Sequence, residues 1–234
     1  MAAGLTESLV YNAKVTAISL ENDQYSVVSS QGTFTAPKVI VAMSPAIMKH
    51  IQFSPGLPAA RQAVHNGYTM GAVGKFFAAY NTPFWRSQWK SGQVIGDGNP
   101  IDVTFESYGQ GQHFLMGFIS HDNMRRLDNA SREQIIEECT RNLVTYFGSQ
   151  ARTAMVDKGL MLWDKEPFSE GGPTGITAPG VLTSVRDALV APVGGIHWAG
   201  TETATYWTGY MDGAVTSGYR AAAEVSAALV GARR

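Results

Sequence analysis

The sequence holds a single cysteine, Cys139, in 234 residues, which excludes an intramolecular disulfide framework and any zinc site built from several cysteines. Charge is scarce as well. Asp, Glu, Lys and Arg make up 16% of the chain, against about 25% in an average soluble domain. Eighteen basic side chains face nineteen acidic ones, for a formal net charge of −1 with no block of one sign. Neither nucleic acid nor an anionic membrane surface is therefore indicated as a partner. Long apolar runs are missing too: the longest uncharged stretches, Ser107–His121 and Gly171–Val185, are 15 residues each and contain glycine and polar side chains, whereas a membrane span needs roughly 18 apolar residues. The opening MAAGLTESLV carries Glu7 and no basic segment, unlike a secretory signal. The expectation is a soluble protein, cytoplasmic or peroxisomal, with no membrane span. Asn129-Ala130-Ser131 matches a glycosylation sequon, but without a signal it reads better as a helix start.

Several chemical signatures are absent: G-x-G-x-x-G, a Walker loop, G-x-S-x-G, H-E-x-x-H and an EF-hand loop. The histidines at 50, 65, 113, 121 and 197 show no ligand spacing, so they read as ordinary core or surface residues and no metal is expected.

What is present is a core. Hydrophobic residues make up 44% of the chain, and the length fits one large domain or two small ones. Lys14–Ile18, Gln24–Ser29 and Thr33–Phe34 are β-rich segments broken by the turn dipeptides Asn22-Asp23 and Gln31-Gly32, which predicts a meander. Lys38–Ala42 reads as a buried strand, and Pro55, Gly56 and Pro58 as a connection. Met70–Tyr80, Ile101–Tyr108 and His113–Ser120 build a sheet. Ser131 with Gln134 forms a capping-box pattern before Ile135, Cys139, Leu143 and Phe147 at helical spacing, ended by Gly148. Met161–Trp163 reads as a short strand, Gly171–Gly180 as irregular, and Ile196–Ala199 as a strand. Ala214, Val215, Gly218, Ala222, Val225 and Leu229 form an apolar stripe on a terminal helix, expected to be its packed face.

Two features exceed composition. Lys75 has no charged neighbour from Gln62 to Trp85 and shares a strand face with Val73 and Phe77, so substantial burial is expected. It is either a snorkelling lysine at a strand end or a charged group held in an apolar site. The segment from His197 to Gly213 runs strand, glycine turn, helix, an arrangement that offers backbone N–H groups and the positive end of a helix dipole. Such loops are also common without a ligand.

The stretch AGTETATYWTGYMDGAVTSGYRAAAEV resembles the C-terminal flavin-binding signature of the flavin-dependent monoamine oxidases, A-G-T-E-T followed by W-[S/T]-G-Y-M-[E/D]-G-A. MGAVGK ending in Lys75, Pro83-Phe84-Trp85, Met116-Gly117-Phe118, and Trp163 followed by Gly171-Gly172 occur in the family's order. The resemblance covers essentially the whole chain, yet only the C-terminal half of such an enzyme. The family's opening βαβ unit, whose Gly-rich turn holds the FAD pyrophosphate, has no counterpart here, and Met1 aligns just before the meander. A missing N-terminal dinucleotide-binding half is thus an implied partner, and its absence accounts for the scarcity of charge.

The resemblance implies a mixed α/β (α+β) fold. A flavin-side part, 1–65 and 164–234, would flank a substrate-side part, 66–163. It further implies non-covalent FAD as cofactor, with an amine and oxygen as small-molecule partners; homo-oligomer formation is left open. By the same resemblance, Lys75 would reach flavin N5 through a water and Trp163 would lie beside the isoalloxazine. Gly200 would be among the cofactor-binding residues, Glu202 would bind the ribose or ribityl region, Met211 would offer its backbone N–H to the pyrimidine edge, and Val15 would lie near the adenine. Tyr210 would form one wall of the aromatic pair guiding the amine, with Val103, Phe105, Phe118 and Thr174 lining the pocket. Where covalent members carry a flavin-bonded cysteine and a second cage tyrosine, this chain has Pro173 and Thr174, which argues against a covalent flavin bond. The implied activity is oxidative deamination of an amine by the intact enzyme, the isolated chain being inactive. The alternatives are a non-catalytic interaction module and a polyamine or amino-acid oxidase specificity; no arginine is placed convincingly to hold a substrate carboxylate.

Overall fold

A computed structural model describes residues 4–231. In chain order, the first segment contains β1 (Val15–Glu21), β2 (Gln24–Ser29), β3 (Gly32–Ala36), β4 (Val39–Ala42), β5 (Gln52–Ser54), α1 (Ala59–Gly67) and β6 (Tyr68–Met70). The middle contains β7 (Gly74–Tyr80), β8 (Val94–Ile95), β9 (Ile101–Gly109), β10 (Gln112–Ile119), α2 (His121–Arg126), α3 (Arg132–Phe147), α4 (Gln150–Thr153) and β11 (Met155–Leu162). The last segment contains β12 (Gly175–Thr177), α5 (Val181–Val190), β13 (Ile196–Ala199) and α6 (Met211–Gly231). The chain divides into two compact units: the segment up to Thr69 joins the segment from Thr174 onward, and Met70–Pro173 forms the other. These boundaries lie a few residues beyond the first expected one, at 65, and ten beyond the second, at 163.

In the discontinuous unit the meander forms a sheet in the order β3-β2-β1-β5, with β5 parallel to β1. Asn22 and Asp23, both at positive φ, make the two-residue turn that matches the twist of the flanking strands. β4 and β13 pair in parallel, Ile196 to Val39 through Ala199 to Ala42. Ile18, Tyr25, Val41, Met48, Leu57, Ile196 and Trp198 form this unit's core. Four helices escape the sequence reading, α1 and α5 in this unit and the short α2 and α4 in the other. Pro58 is the residue before α1 and does more than mark a connection, its carbonyl accepting the N–H groups of Arg61 and Gln62, and α5 follows the Gly-rich stretch, burying Val185 and Leu189 at i and i+4.

In the continuous unit five strands run β11-β7-β10-β9-β8, all antiparallel. One face, with Phe76, Ala78, Tyr80, Leu115, Ile119 and Leu160, packs on Ile135, Cys139, Leu143 and Phe147 of α3. The capping box at Ser131 forms in full: its hydroxyl accepts from Gln134 N at 3.2 Å, and its own N–H donates to Gln134 Oε1 at 2.7 Å.

Three local expectations are corrected. The strand read as Met161–Trp163 runs from Met155 to Leu162 and stops where Trp163 opens a short 3-10 turn, because polar Asp157 and Lys158 on its exposed part mask the strand pattern. Within Gly171–Gly180, Gly175–Thr177 forms β12 and pairs with β6. On α6 the buried positions are Gly213, Ser217 and Ala221, while Ala214, Ala222 and Leu229 of the expected stripe are exposed. A small residue is chosen for close approach there, not for hydrophobicity: a Cβ on Gly213 would collide with the Trp207 carbonyl.

Candidate functional site

In the discontinuous unit the signature residues gather at the carboxyl ends of β4 and β13, the edge of a parallel sheet at which ligands characteristically bind. Gly200, at φ +117, lets the chain turn out of β13. Glu202 follows in a single 3-10 turn, Thr201–Thr203, and is 6% exposed. Its Oε1 accepts from the Thr174 hydroxyl at 3.2 Å and from the Gly175 N–H at 2.9 Å. Gly175 is hemmed in: an added Cβ would lie 2.9 Å from Ser44 Oγ, 2.9 Å from Tyr68 Cδ1 and 3.1 Å from Glu202 Oε1. The Tyr68 phenol is pushed above its ordinary pKa by burial and by the Glu202 carboxylate, with Arg61 opposing.

Thr201 fastens the loop that leads into α6. Its hydroxyl donates to the Tyr210 carbonyl at 2.9 Å and accepts from the Gly209 N–H at 2.6 Å. Trp207 and Tyr210 stand edge to face, ring centres 5.5 Å apart, and both are exposed. Met211 begins α6 and is 84% exposed, so the amino end of the helix opens to solvent. Val15 opens β1 and packs partly buried on the core around Ile18 and Trp198.

In the continuous unit the second face of the five-stranded sheet carries the remaining residues. Cross-strand pairing sets Met161, Lys75, Phe118 and Val103 in one row and Gly159, Phe77, Met116 and Phe105 in the next. Lys75 is half-buried, less than expected, because the α3 side takes its neighbours Gly74 and Phe76. Its Nζ lies 5.3 Å from the centre of the Phe118 ring, which stands edge to face with Phe105 at 6.0 Å. Trp163 is 38% exposed, and its backbone N–H donates to Val73 O at 3.2 Å. The Gly171-Gly172 pair packs against the backbone of Gly71, with Gly172 N–H donating to Gly71 O at 2.8 Å. Pro173 ends this unit.

Thr174, Gly200, Glu202, Tyr210 and Met211 thus assemble in one unit, and Lys75, Val103, Phe105 and Phe118 in the other. Sequence reasoning missed the supports of the first group: Thr201, Ser217 and Arg220, which bond to backbone groups of Tyr210, Gly200 and Trp198 respectively. Of these, only the Arg220–Glu224 pair at i,i+4 has a legible spacing signal. Among the described residues no group of side chains could hold a metal ion, and no helix is long and apolar enough to cross a membrane.

Residues 1–226 match the family model described as flavin containing amine oxidoreductase. A Mycobacterium tuberculosis protein named as a flavin-containing monoamine oxidase, AofH, is 41% identical over 230 residues, which cover 97% of this chain and 50% of that protein. Among solved structures, cyclohexylamine oxidase from Brevibacterium oxydans IH-35A superposes with a TM-score of 0.90 at 29% identity, over 97% of this chain and 51% of the other. Putrescine oxidase bound to putrescine superposes with a TM-score of 0.89 at 26% identity, over the same shares. The chain spans about half the length of the curated relatives it matches. With the signature folded at one sheet edge and the match running through both units, the chain belongs to the flavin-containing amine oxidoreductase family.

Proposed function

We propose that the chain supplies one half of an FAD-dependent amine oxidase that holds its cofactor without a covalent bond, the other half being a dinucleotide-binding unit. The observation that carries this reading is Glu202. A carboxylate 6% exposed at the end of two parallel strands is costly to bury; Thr174 and Gly175 hold its Oε1, and its remaining acceptor capacity suits the hydroxyls of a flavin nucleotide. The residues of the discontinuous unit fit that group: Glu202 is the acceptor, and the open amino end of α6 at Met211 supplies donors and a positive dipole for the pyrimidine edge.

The flavin, when bound, would accept a hydride equivalent from the carbon alpha to a neutral amine and pass the electrons to oxygen, giving hydrogen peroxide. Lys75, on the open sheet face, would hold a water at the reacting edge. Val103, Phe105 and Phe118 would exclude bulk water around the substrate, and Tyr210 beside Trp207 would attract the amine to an aromatic wall. The amine so oxidised would leave as an imine, which water would hydrolyse to a carbonyl compound and ammonia or a smaller amine. Pro173 carries no nucleophile and the Thr174 hydroxyl donates to Glu202, which supports non-covalent binding.

The chain contains no Gly-rich turn to neutralise a pyrophosphate. Each missing charge-assisted hydrogen bond weakens binding by roughly 1.5–3 kcal/mol. The expected result is a purified chain that is colourless after gel filtration with FAD and forms no peroxide from benzylamine. Paired with the half of the mycobacterial relative that this chain does not match, it should acquire a flavin absorption band and oxidise amines. A yellow, active chain on its own overturns the shared-site reading. A pair that assembles without taking flavin overturns the oxidase reading in favour of a non-catalytic interaction module.

A further inference from the structure

The segment between β13 and α6 contains no regular element longer than three residues, yet it carries Glu202 and Tyr210 and delivers the amino end of α6. Its anchorage comes from one face of α6, where residues 213, 217, 220, 221 and 224 line up at helical spacing. Arg220 Nη2 donates to Trp198 O at 2.7 Å and to Thr203 Oγ1 at 3.1 Å, and Nη1 donates to Glu224 Oε1 at 2.6 Å. Glu224 Oε2 lies 2.9 Å from His197 Nδ1. Ser217 Oγ accepts the Gly200 N–H at 3.0 Å, and Thr203 Oγ1 donates to Gly200 O at 2.9 Å. One guanidinium therefore ties the last strand, the turn and the helix together. Burial alone would raise the Glu224 carboxyl, but the hydrogen bonds from His197 and Arg220 hold it below its ordinary pKa, so the clamp is charge-assisted.

We infer that Arg220 is a positioning residue for the flavin: its planar fork fixes the Gly200–Thr203 turn against α6, so that Glu202 and the first amides of the helix keep the geometry a cofactor needs. What the turn holds rests on the amine oxidase reading above; that Arg220 holds the turn rests on the hydrogen bonds alone. Lysine cannot replace it, because a single ammonium on a flexible stem lacks the coplanar donors that serve Trp198 O and Glu224 together.

The test is amide hydrogen exchange on the purified chain, comparing it with Arg220→Lys and Arg220→Met. The reporters are the N–H groups of Gly200, Thr203, Ala204, Gly209 and Tyr210, all bonded within this segment or to α6. The controls are amides of the β1–β2 ladder. Both variants should speed exchange at the reporters by roughly tenfold to a hundredfold, the loss of one charge-assisted hydrogen bond, with the controls unchanged. In the flavin-loaded assembly the same variants should weaken flavin binding by a comparable factor. Unchanged reporters overturn the clamp, as does uniform acceleration of reporters and controls, which would make Arg220 a general stability residue. Should Arg220→Met fail to fold, Arg220→Lys alone decides between these results. Loosened reporters with unaltered flavin affinity overturn the placement of this turn at the cofactor while leaving the clamp intact.

Discussion

Arg61→Met should destabilise the chain even though it removes a buried positive charge. Arg61 is 1% exposed. Its Nη1 donates to the carbonyls of Ala188 and Leu189 at 2.9 and 2.7 Å, its Nε lies 3.1 Å from His65 Nε2, and the guanidinium sits 3.6 Å from the centre of the Trp198 ring. Burial depresses its pKa from 12.5 to about 9, with Tyr68 opposing, which registers a real desolvation cost. Against that cost stand two charge-assisted hydrogen bonds at roughly 1.5–3 kcal/mol each and a desolvated cation–π contact of about 2 kcal/mol. Methionine would also leave two carbonyls at the end of α5 unpaired, since the last turn of a helix has no internal donors for them. With desolvation returning part of the sum, a net loss of about 2–4 kcal/mol follows. Arg61→Lys should lose about half as much, because one carbonyl can still be reached while the stacked plane is gone. Urea unfolding followed by far-UV circular dichroism measures both. Arg61→Met within about 0.5 kcal/mol of the parent, or more stable, would refute the reasoning by showing that desolvation outweighs the contacts.

Burial, and then the neighbouring Arg61 charge, hold His65 at a pKa of about 4, below 6.5. The unfolded chain therefore binds a proton there that the folded chain does not, stability should fall as pH drops from 6.5 towards 4, and His65→Gln should flatten that limb of a urea-midpoint profile. Ser131→Ala removes one side of a complete capping box and should cost about 1 kcal/mol in the same assay. Lys75→Met in the flavin-loaded assembly should slow flavin reduction or reoxidation in stopped-flow absorbance while leaving the melting temperature nearly unchanged, since the lysine is only half-buried; wild-type rates would remove its proposed role.

Local rules made much of this fold legible. The capping box at Ser131, the Asn22-Asp23 turn and the alternation that sets Lys75 and Phe77 on one face each depend on a few neighbouring residues and form as the pattern predicts, although Lys75 is less buried than its apolar neighbours suggest. The helix α5 was hidden because its glycine-rich approach looks like loop, and its two buried side chains find their partners far along the chain. The buried face of α6 was misread for another reason. Alanine and glycine occur all round that helix, so hydrophobicity barely distinguishes its sides, and the choice is made by the Gly213 approach to Trp207 and the Ser217 bond to Gly200. At the candidate site, the signature draws attention to Glu202, but the bonds of Arg220 to Trp198 O and of Thr201 to Tyr210 O end on backbone atoms, which leave little trace in composition.

The five-stranded sheet has unequal faces, and neighbouring residues on β7 and β10 answer to different constraints. Phe76 is fully buried against the α3 core, so truncating it to alanine would cost roughly 3–5 kcal/mol. Phe77, one position along, lies on the half-open face and tolerates exchange at a fraction of that penalty. The same holds for Ile119 and Phe118. The open face can therefore change by substitutions at alternate positions while the scaffold beneath stays untouched; were this face to line the substrate pocket proposed above, its shape could drift without first acquiring compensating stability.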